Sequence, residues 1–336
     1  MTRIEQIEND LVQCGLLRAS GSSVTPMSGG VSSDIYLIDD GKCRIVVKQA
    51  LDRLKVKDDW QVDVSRNVTE QRFIRHVSGF LPRSMPRILH CNAELNYFAM
   101  EYLAHSKNWK SMLMAGDVDS DLARRAGGML GTIHRKTWGD PSLKRQFDTT
   151  RSFHALRTEP YLLTTAARHP PLSQQINDEA RRLEETRRCL IHGDFSPKNI
   201  MIGSDAMVLL DCEVAWFGEP AFDAAFLFNH FLLKTLLDRG NYHRYLSLVP
   251  AAWDSYCASF PKIEPDMEQR MGRLLLMLML ARLDGKSPVE YLEDDLSRQV
   301  VRDFVYSLLP RRIFAVDEIC SLWAQRIDAM EQGTTP

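Results

Sequence analysis

Apolar positions along the chain change their period twice, and the changes outline its organisation. Ile4, Ile7, Leu11 and Cys14 recur at helical spacing and predict a short surface helix over residues 4–17. From Val24 the pattern becomes strands. Ile35 to Ile38 and Arg44 to Val47 flank Asp39-Asp40-Gly41-Lys42, whose Asp-Gly step favours a tight hairpin. Counting outward from that turn pairs Ile38 with Cys43 and puts Ser33 opposite Lys48, which carries the Ser28 to Ser33 segment to the side of Lys48. A helix follows over 67–80, with Phe73, Ile74, Val77 and Phe80 on one face and Glu70 within the same arc. Tyr97 to Met100 reads as an apolar strand running into an extended Glu101 to Ala104 segment.

Beyond that point helical spacing dominates. Ala126, Met129, Leu130 and Ile133 mark a helix over 122–137, where Gly127, Gly128 and Gly131 permit a close neighbour and His134 ends the stripe as a structural residue. Residues 138–172 read as loops and short helices, 173–188 as a helix, and the chain after Phe222 as helical to its end. The apolar run Leu274 to Ala281 is a buried central helix, far shorter than the roughly 20 residues a membrane span needs. Cys189 to Ile191, Ile200 to Ile202 and Met207 to Leu210 are short strands. Pairing outward from the Gly203 to Ala206 turn sets Asn199 opposite Leu210, hence beside Asp211.

With 336 residues the chain exceeds the usual size of one compact domain. The expectation is therefore an α+β, bilobal protein: a small antiparallel-sheet lobe over 1–103 and a larger, mostly helical lobe over 104–336. Hydrophobic content of 44% and charged content of 26% fit an ordinary folded enzyme. A formal charge of −2 gives no reason to expect a nucleic-acid partner or an anionic membrane surface. The seven cysteines show no metal or redox spacing, and with an acidic, amphipathic N-terminus they point to a cytoplasmic protein with reduced thiols.

The chemistry concentrates in His192-Gly193-Asp194-Phe195-Ser196-Pro197-Lys198-Asn199 and Leu210-Asp211-Cys212-Glu213. His-Gly-Asp alone reads as a turn with a capping aspartate. An Asp, an Asn and a second Asp on converging strands are more specific: an amide oxygen and a carboxylate suit Mg²⁺, and Asp194 faces the same space as a proton acceptor for an attacking hydroxyl. Gly29-Gly30 with its flanking serines is either a plain turn or a backbone cradle for phosphate. Lys48 is either a solvated strand end or a phosphate contact. Glu70 either partners Lys48 or merely favours its helix dipole. The peptide groups of Glu101 and Leu103 are left to meet an adenine edge.

His192 to Asn199, Leu210-Asp211-Cys212-Glu213 and Gly218-Glu219-Pro220-Ala221-Phe222-Asp223 together resemble the signature of the aminoglycoside phosphotransferase and choline kinase superfamily, whose fold is similar to that of protein kinases. The stretch Asp211 to Asp223 also resembles that of methylthioribose kinases. The resemblance implies that ATP and magnesium are the cofactors and that Lys48, oriented by Glu70, contacts the α- and β-phosphates. It implies further that Ser28, Gly29, Gly30 and Ser32 line the nucleotide loop and that Glu101 and Leu103 hold adenine. Asp194 would be the catalytic base, Asn199 and Asp211 the magnesium ligands, and Asp223 a brace for the catalytic loop. Two departures from the protein kinases, only two adjacent glycines in the nucleotide loop and Asp211-Cys212-Glu213 in place of Asp-Phe-Gly, point away from protein substrates.

The expected partner is therefore a small molecule, a polar alcohol with a sugar ahead. Glu213, Glu219 and Asp284 leave open an aminoglycoside or a choline-like amino alcohol, and Trp109, Trp138 and Trp216 either stack on a ligand or pack. A nucleotide-binding module without catalysis is the rival of another class. A protein kinase is disfavoured because only eleven residues separate Asp211 from Asp223.

Overall fold

The computed structural model describes residues 2–18, 22–27, 33–50, 66–261 and 263–332. The chain divides into two compact units, one formed by Met1–Ser106 with Met201–Val214 and the other by Lys107–Ile200 with Ala215–Pro336.

In the first unit the described residues form a five-stranded antiparallel sheet in the order β1-β2-β3-β5-β4, with β1 at Ser23–Pro26, β2 at Ser33–Asp39, β3 at Arg44–Ala50, β4 at Ile88–Asn92 and β5 at Tyr97–Glu101. Strand β3 is central because its Ile45-Val46-Val47 run is buried on both faces. Its alternation divides two chemistries. Ile45 and Val47 face helix α1 (Arg3–Gln13), joining Ile7, Leu11, Leu17, Ile38, Tyr97 and Ala99 in one apolar cluster. Each fully buried Ile or Leu there contributes about 1.5–3 kcal/mol. Lys48, one step on, faces helix α2 (Arg66–Ser78) and its Glu70. Thr2 and Glu5 close the start of α1 in a reciprocal capping box.

The β2–β3 register differs by two residues from the one counted on the sequence: Ile38 pairs with Ile45, Ile35 with Lys48, and Ser33 with Ala50. Asp39 and Asp40 are the cause. The Asp40 carboxylate accepts the amides of Lys42 (2.9 Å) and Cys43 (2.7 Å), Asp39 accepts that of Gly41 (2.8 Å), and Gly41 takes φ +81°. This moves the turn one residue along the chain, to Gly41 and Lys42, where the Asp40 amide closes it on the Cys43 carbonyl at 3.2 Å. The second hairpin turn follows its expected register, with the Gly203 amide donating to the Ala206 carbonyl at 2.9 Å.

The second unit is built on long helices. Ser120–Thr137 packs on Leu248–Ser259, and the glycines noted in the sequence are what allows it. A Cβ on Gly127 would lie 2.0 Å from the Ala252 carbonyl oxygen, and one on Gly131 would lie 2.6 Å from that of Tyr256. His134 is structural as expected, fully buried with Nδ1 2.9 Å from the Tyr256 hydroxyl. Met267–Asp284 carries the buried Leu274 to Ala281 run and packs on Pro220–Lys234, which is buried along its whole length. Among the described residues no helix is long and apolar enough to cross a membrane.

Residues 138–172 are more regular than their sequence suggests. Thr150–Phe153, His154–Leu163 and Thr164–Arg168 form a nearly continuous helix whose middle ten residues are π-helical. Pro160 lies inside it without an amide to satisfy, and its own carbonyl accepts the Lys286 amide at 2.9 Å. The wide turn breaks the 3.6-residue period by which the sequence is read.

The glycine contact yields a direct test. Gly127→Ala forces the two helices apart against backbone atoms and is expected to cost about 1–3 kcal/mol as overpacking does. Thermal melting should fall by several degrees, whereas the conformationally equivalent Gly128→Ala, which meets only the Ser255 and Ser259 side-chain oxygens at 3.0 and 3.4 Å, should fall by less.

Candidate active site

Three titratable side chains organise the first unit. Lys48 Nζ lies 2.7 Å from Glu70 Oε2 and 2.5 Å from Asp211 Oδ1. The ammonium and the Glu70 carboxylate are almost fully buried, while the Asp211 side chain keeps 34% of its exposure. Of the two readings of Glu70, the pairing with Lys48 is the one that forms. Glu213 stands close enough to act on both and is itself bound by Arg66 NH1 at 3.2 Å. Burial opposes the charge on Lys48, but Asp211 and Glu70 outweigh it and hold the ammonium well above its usual pKa. Burial raises the Glu70 carboxyl to about 7, with Lys48 pulling against it and Asp211 and Glu213 adding to it.

Asp211 adopts φ +64°, a left-handed conformation that a residue with a Cβ holds at a cost. The cluster therefore combines local backbone strain with three carboxylates around one lysine and one arginine. Hard oxygen donors in surplus over cations, one of them a third exposed, fit a magnesium ion.

The second unit holds Asp194, Asn199 and Asp223. Cys189–Ile191 pairs antiparallel with Trp216–Gly218, and the loop after Ile191 turns sharply at Gly193 (φ +75°). The Asp223 carboxylate accepts the His192 and Gly193 amides at 2.7 and 2.9 Å, the bracing contact expected of it. His192 Nδ1 accepts the Asp194 amide at 3.1 Å. Asn199 Nδ2 donates to the Asp194 carbonyl and to Asp194 Oδ2, both at 2.9 Å, leaving its amide oxygen as the atom to offer a cation. Lys198 Nζ lies 2.9 Å from Asp194 Oδ2.

A further residue converges here that the sequence did not mark. Arg157, buried in the π-helix, places its NH2 3.2 Å from Asp194 Oδ2 and bonds the Gly193 carbonyl through Nε. One guanidinium thus grips both the loop backbone and the aspartate, with its plane over Tyr161 and Phe226. The only sequence signal was an arginine before a buried Tyr161 in a segment with no readable period.

The remaining candidates are placed as follows. Glu219 is fully buried between Arg182 and Arg270, and Asp284 is gripped by Arg302 (2.8 and 2.7 Å) and His169 (3.1 Å), so neither presents a carboxylate to an amine. Trp109 packs edge-on to Phe231, Trp138 on Phe260, and Trp216 stacks on Phe153, so all three serve packing. The Glu101 amide is taken by the Arg87 carbonyl (3.0 Å) and the Leu103 carbonyl accepts from Ser106 (3.4 Å). Among the described residues the Leu103 amide has no recorded acceptor. Ser28, Gly29, Gly30 and Ser32 lie outside the described residues.

Comparison with known proteins decides the family. The model of the phosphotransferase enzyme family, APH, matches residues 23–258, which is more than half of the chain. The chain belongs to that family. It is an enzyme, a kinase, with the mixed sheet and helix architecture expected of the protein-kinase-like fold. A methylthioribose kinase of Bacillus pumilus is 25% identical over 286 residues, covering 75% of this chain and 71% of that protein. A second, from Bacillus velezensis, is 24% identical over 254 residues, 66% of this chain and 63% of that protein. Among solved structures, a choline kinase of Cryptosporidium parvum shares the fold with a TM-score of 0.54 at 11% identity, covering 99% of this chain and 98% of that one. A spectinomycin phosphotransferase, solved with ADP and spectinomycin, gives a TM-score of 0.50 at 13% identity, with 96% and 98% coverage.

Arg157 can be tested in this kinase as a positioning residue. Arg157→Gln should lower kcat by roughly 10- to 100-fold, the scale of a modest misplacement at a reacting centre. Nucleotide KM should stay within about threefold of wild type, and Arg157→Lys, which keeps the charge but not the fork, should recover only part of the loss. Unchanged kcat in Arg157→Gln would remove the residue from the site.

Proposed function

We propose that the enzyme transfers the γ-phosphoryl group of ATP to a hydroxyl of a small polar metabolite, with a sugar-like alcohol as the acceptor. The observation that carries this reading is the Lys48, Glu70 and Asp211 triad, a buried ammonium set between two carboxylates beside a strained backbone. Lys48 would contact the α- and β-phosphates, held in place by Glu70. The Leu103 amide would face adenine, with the Gly29-Gly30 loop around the phosphates.

Asp211 and Asn199 would hold magnesium, which when bound neutralises charge developing on the transferred group. Asp194 accepts the proton of the acceptor hydroxyl as its oxygen bonds to the γ-phosphorus and the bond to the β–γ bridging oxygen breaks, leaving ADP. Lys198 and Arg157 beside Asp194 Oδ2 favour the ionised carboxylate that such a base requires.

The sugar-like acceptor rests on two supports. The most similar sequences named above are methylthioribose kinases, and the acidic residues that would have favoured an amine, Glu213, Glu219 and Asp284, are each bound by arginine. A protein substrate fits poorly, since Trp216–Gly218 is already strand and the helix starts at Pro220, leaving no room for a peptide-docking segment.

Replacing the proposed base is the experiment that tests this function. Asp194→Ala should reduce turnover by roughly 10²- to 10⁴-fold while ATP or ADP binding, followed by calorimetry, is largely kept. Full turnover in that variant would remove Asp194 from the mechanism. A wild-type protein that binds ATP but phosphorylates no member of a panel of sugars, nucleosides, polyols and amino alcohols would favour a non-catalytic nucleotide-binding role.

A further inference from the structure

Resting on the phosphotransferase reading, a second set of cations in the same unit as Asp194, one of them buried, specifies more about the acceptor. The Pro220–Lys234 helix places Phe222, Phe226, His230 and Lys234 at four-residue spacing, so they share one face. That face begins at the Asp194 site, because Arg157, bonded to Asp194, lies over Phe226, and Tyr161 packs on the same ring at 5.6 Å. His230 packs edge-on to Phe226 at 5.6 Å. Lys234 ends the face, about 12 Å along the helix from Phe226 at the usual rise per residue.

Lys234 is 1% exposed, and among the described residues its ammonium makes no hydrogen bond or ion pair. Its recorded contact is with the ring of Tyr291, with Nζ 4.2 Å from the centroid. The Tyr291 hydroxyl is itself buried without a hydrogen-bond partner. Arg282 bonds the Tyr161 hydroxyl (3.2 Å), the Ser287 carbonyl (2.5 Å) and the Ser287 hydroxyl (3.0 Å), but no carboxylate, and its Nε is buried without a partner. The carboxylate acting on Lys234 is Glu290, and Lys110 already pairs with it. Three cations, Lys234, Arg282 and Lys110, therefore share one carboxylate, and a buried charge without a counter-ion is costly. Burial first, then Lys110 and Arg282, lower the Lys234 pKa to about 7, and burial, then Lys234 and Arg282, push that of His230 well below its usual value. The missing component is an anion, with a buried ammonium, a guanidinium and a phenol positioned to donate to it.

We propose that the acceptor alcohol carries an anionic group, a carboxylate or a phosphate ester, received by Lys234, Arg282 and the Tyr291 hydroxyl. The acceptor lies along the Phe226 and His230 face with its hydroxyl at Asp194. Lys234 and Arg282 bind and orient the acceptor and take no part in the transfer itself. Neutral sugars and cationic amino alcohols leave the charge surplus unanswered and are poor substrates.

The test uses matched alcohols: D-gluconate and D-glycerate as carboxylates and glucose 6-phosphate as a phosphate ester, against D-glucitol, glycerol and glucose. ATP consumption and calorimetric binding are measured for each, with ADP binding followed in parallel. Binding and turnover are expected only among the anionic members, and the preferred subset tells carboxylate from phosphate. Lys234→Met and Arg282→Gln should each raise KM for the accepted anion roughly 10- to 100-fold, the scale of one lost charge-assisted hydrogen bond. ADP affinity and melting temperature should change little, which separates a lost contact from a lost fold and from a nucleotide-binding role. Neutral alcohols used as well as anionic ones, or an unchanged KM in both variants, would overturn the inference. So would ADP binding without binding or turnover of any anionic member, which leaves the phosphotransferase reading intact. Failure to bind ADP at all would overturn that reading and this one with it.

Discussion

The placement of one ammonium constrains the first unit. Lys48 cannot be buried uncharged at little cost, nor charged without partners, and Glu70 and Asp211 supply them at 2.7 and 2.5 Å. The requirement reaches into the fold. It fixes which face of β3 looks toward α2, because Ile45 and Val47 must reach the apolar cluster under α1 on the other side. A one-residue slip of β3 would put Lys48 into that cluster and Val47 against Glu70. The hydrophobic core and the charged cluster thus specify the same register from opposite faces of one strand. With Glu213 nearby, the cluster carries more carboxylates than cations, which suits the metal-bound nucleotide proposed for it.

The second unit meets the corresponding constraint around Asp194 by different means. Asp223 holds the loop backbone through two amides, Asn199 and Lys198 approach Asp194 from downstream, and Arg157 approaches from a helix more than thirty residues upstream. The π-helical turns matter here because they let Arg157, Pro160 and Tyr161 coexist in one helix while aiming Arg157 at Gly193 and Asp194. The same helix supplies Tyr161 to the face that leads toward Lys234.

Much of this was legible in the sequence, for identifiable reasons. The partnership of Lys48 and Glu70 follows from a carboxylate on an apolar helical arc, which needs a cation wherever the arc is buried. The close packing at Gly127 and Gly131 follows from small residues on one helical stripe, and the His192 to Asn199 and Asp211 motifs mark the family. What failed was what depends on side-chain bonds to backbone or on an irregular period. The β2–β3 register moved by two residues because Asp39 and Asp40 tie up the turn amides, which strand counting does not see. Arg157 was hidden because a π-helix has no 3.6-residue signature. Glu219 and Asp284 read as free acids because their arginine partners are distant in sequence. The surplus of cations at Lys234 and Arg282 emerged only from packing, since neither residue stands in a motif.

The central claim is that the Lys48, Glu70 and Asp211 cluster is built to receive a metal-bound nucleotide. Water-proton relaxation with Mn²⁺ in place of magnesium reads this directly, by titrating Mn²⁺ and ADP into the wild-type enzyme and into Asp211→Asn. The account predicts an enhanced ternary signal in the wild type and at least a roughly 10- to 100-fold weaker affinity for the Mn²⁺–ADP complex in the variant. Equal affinity in the two proteins would contradict it.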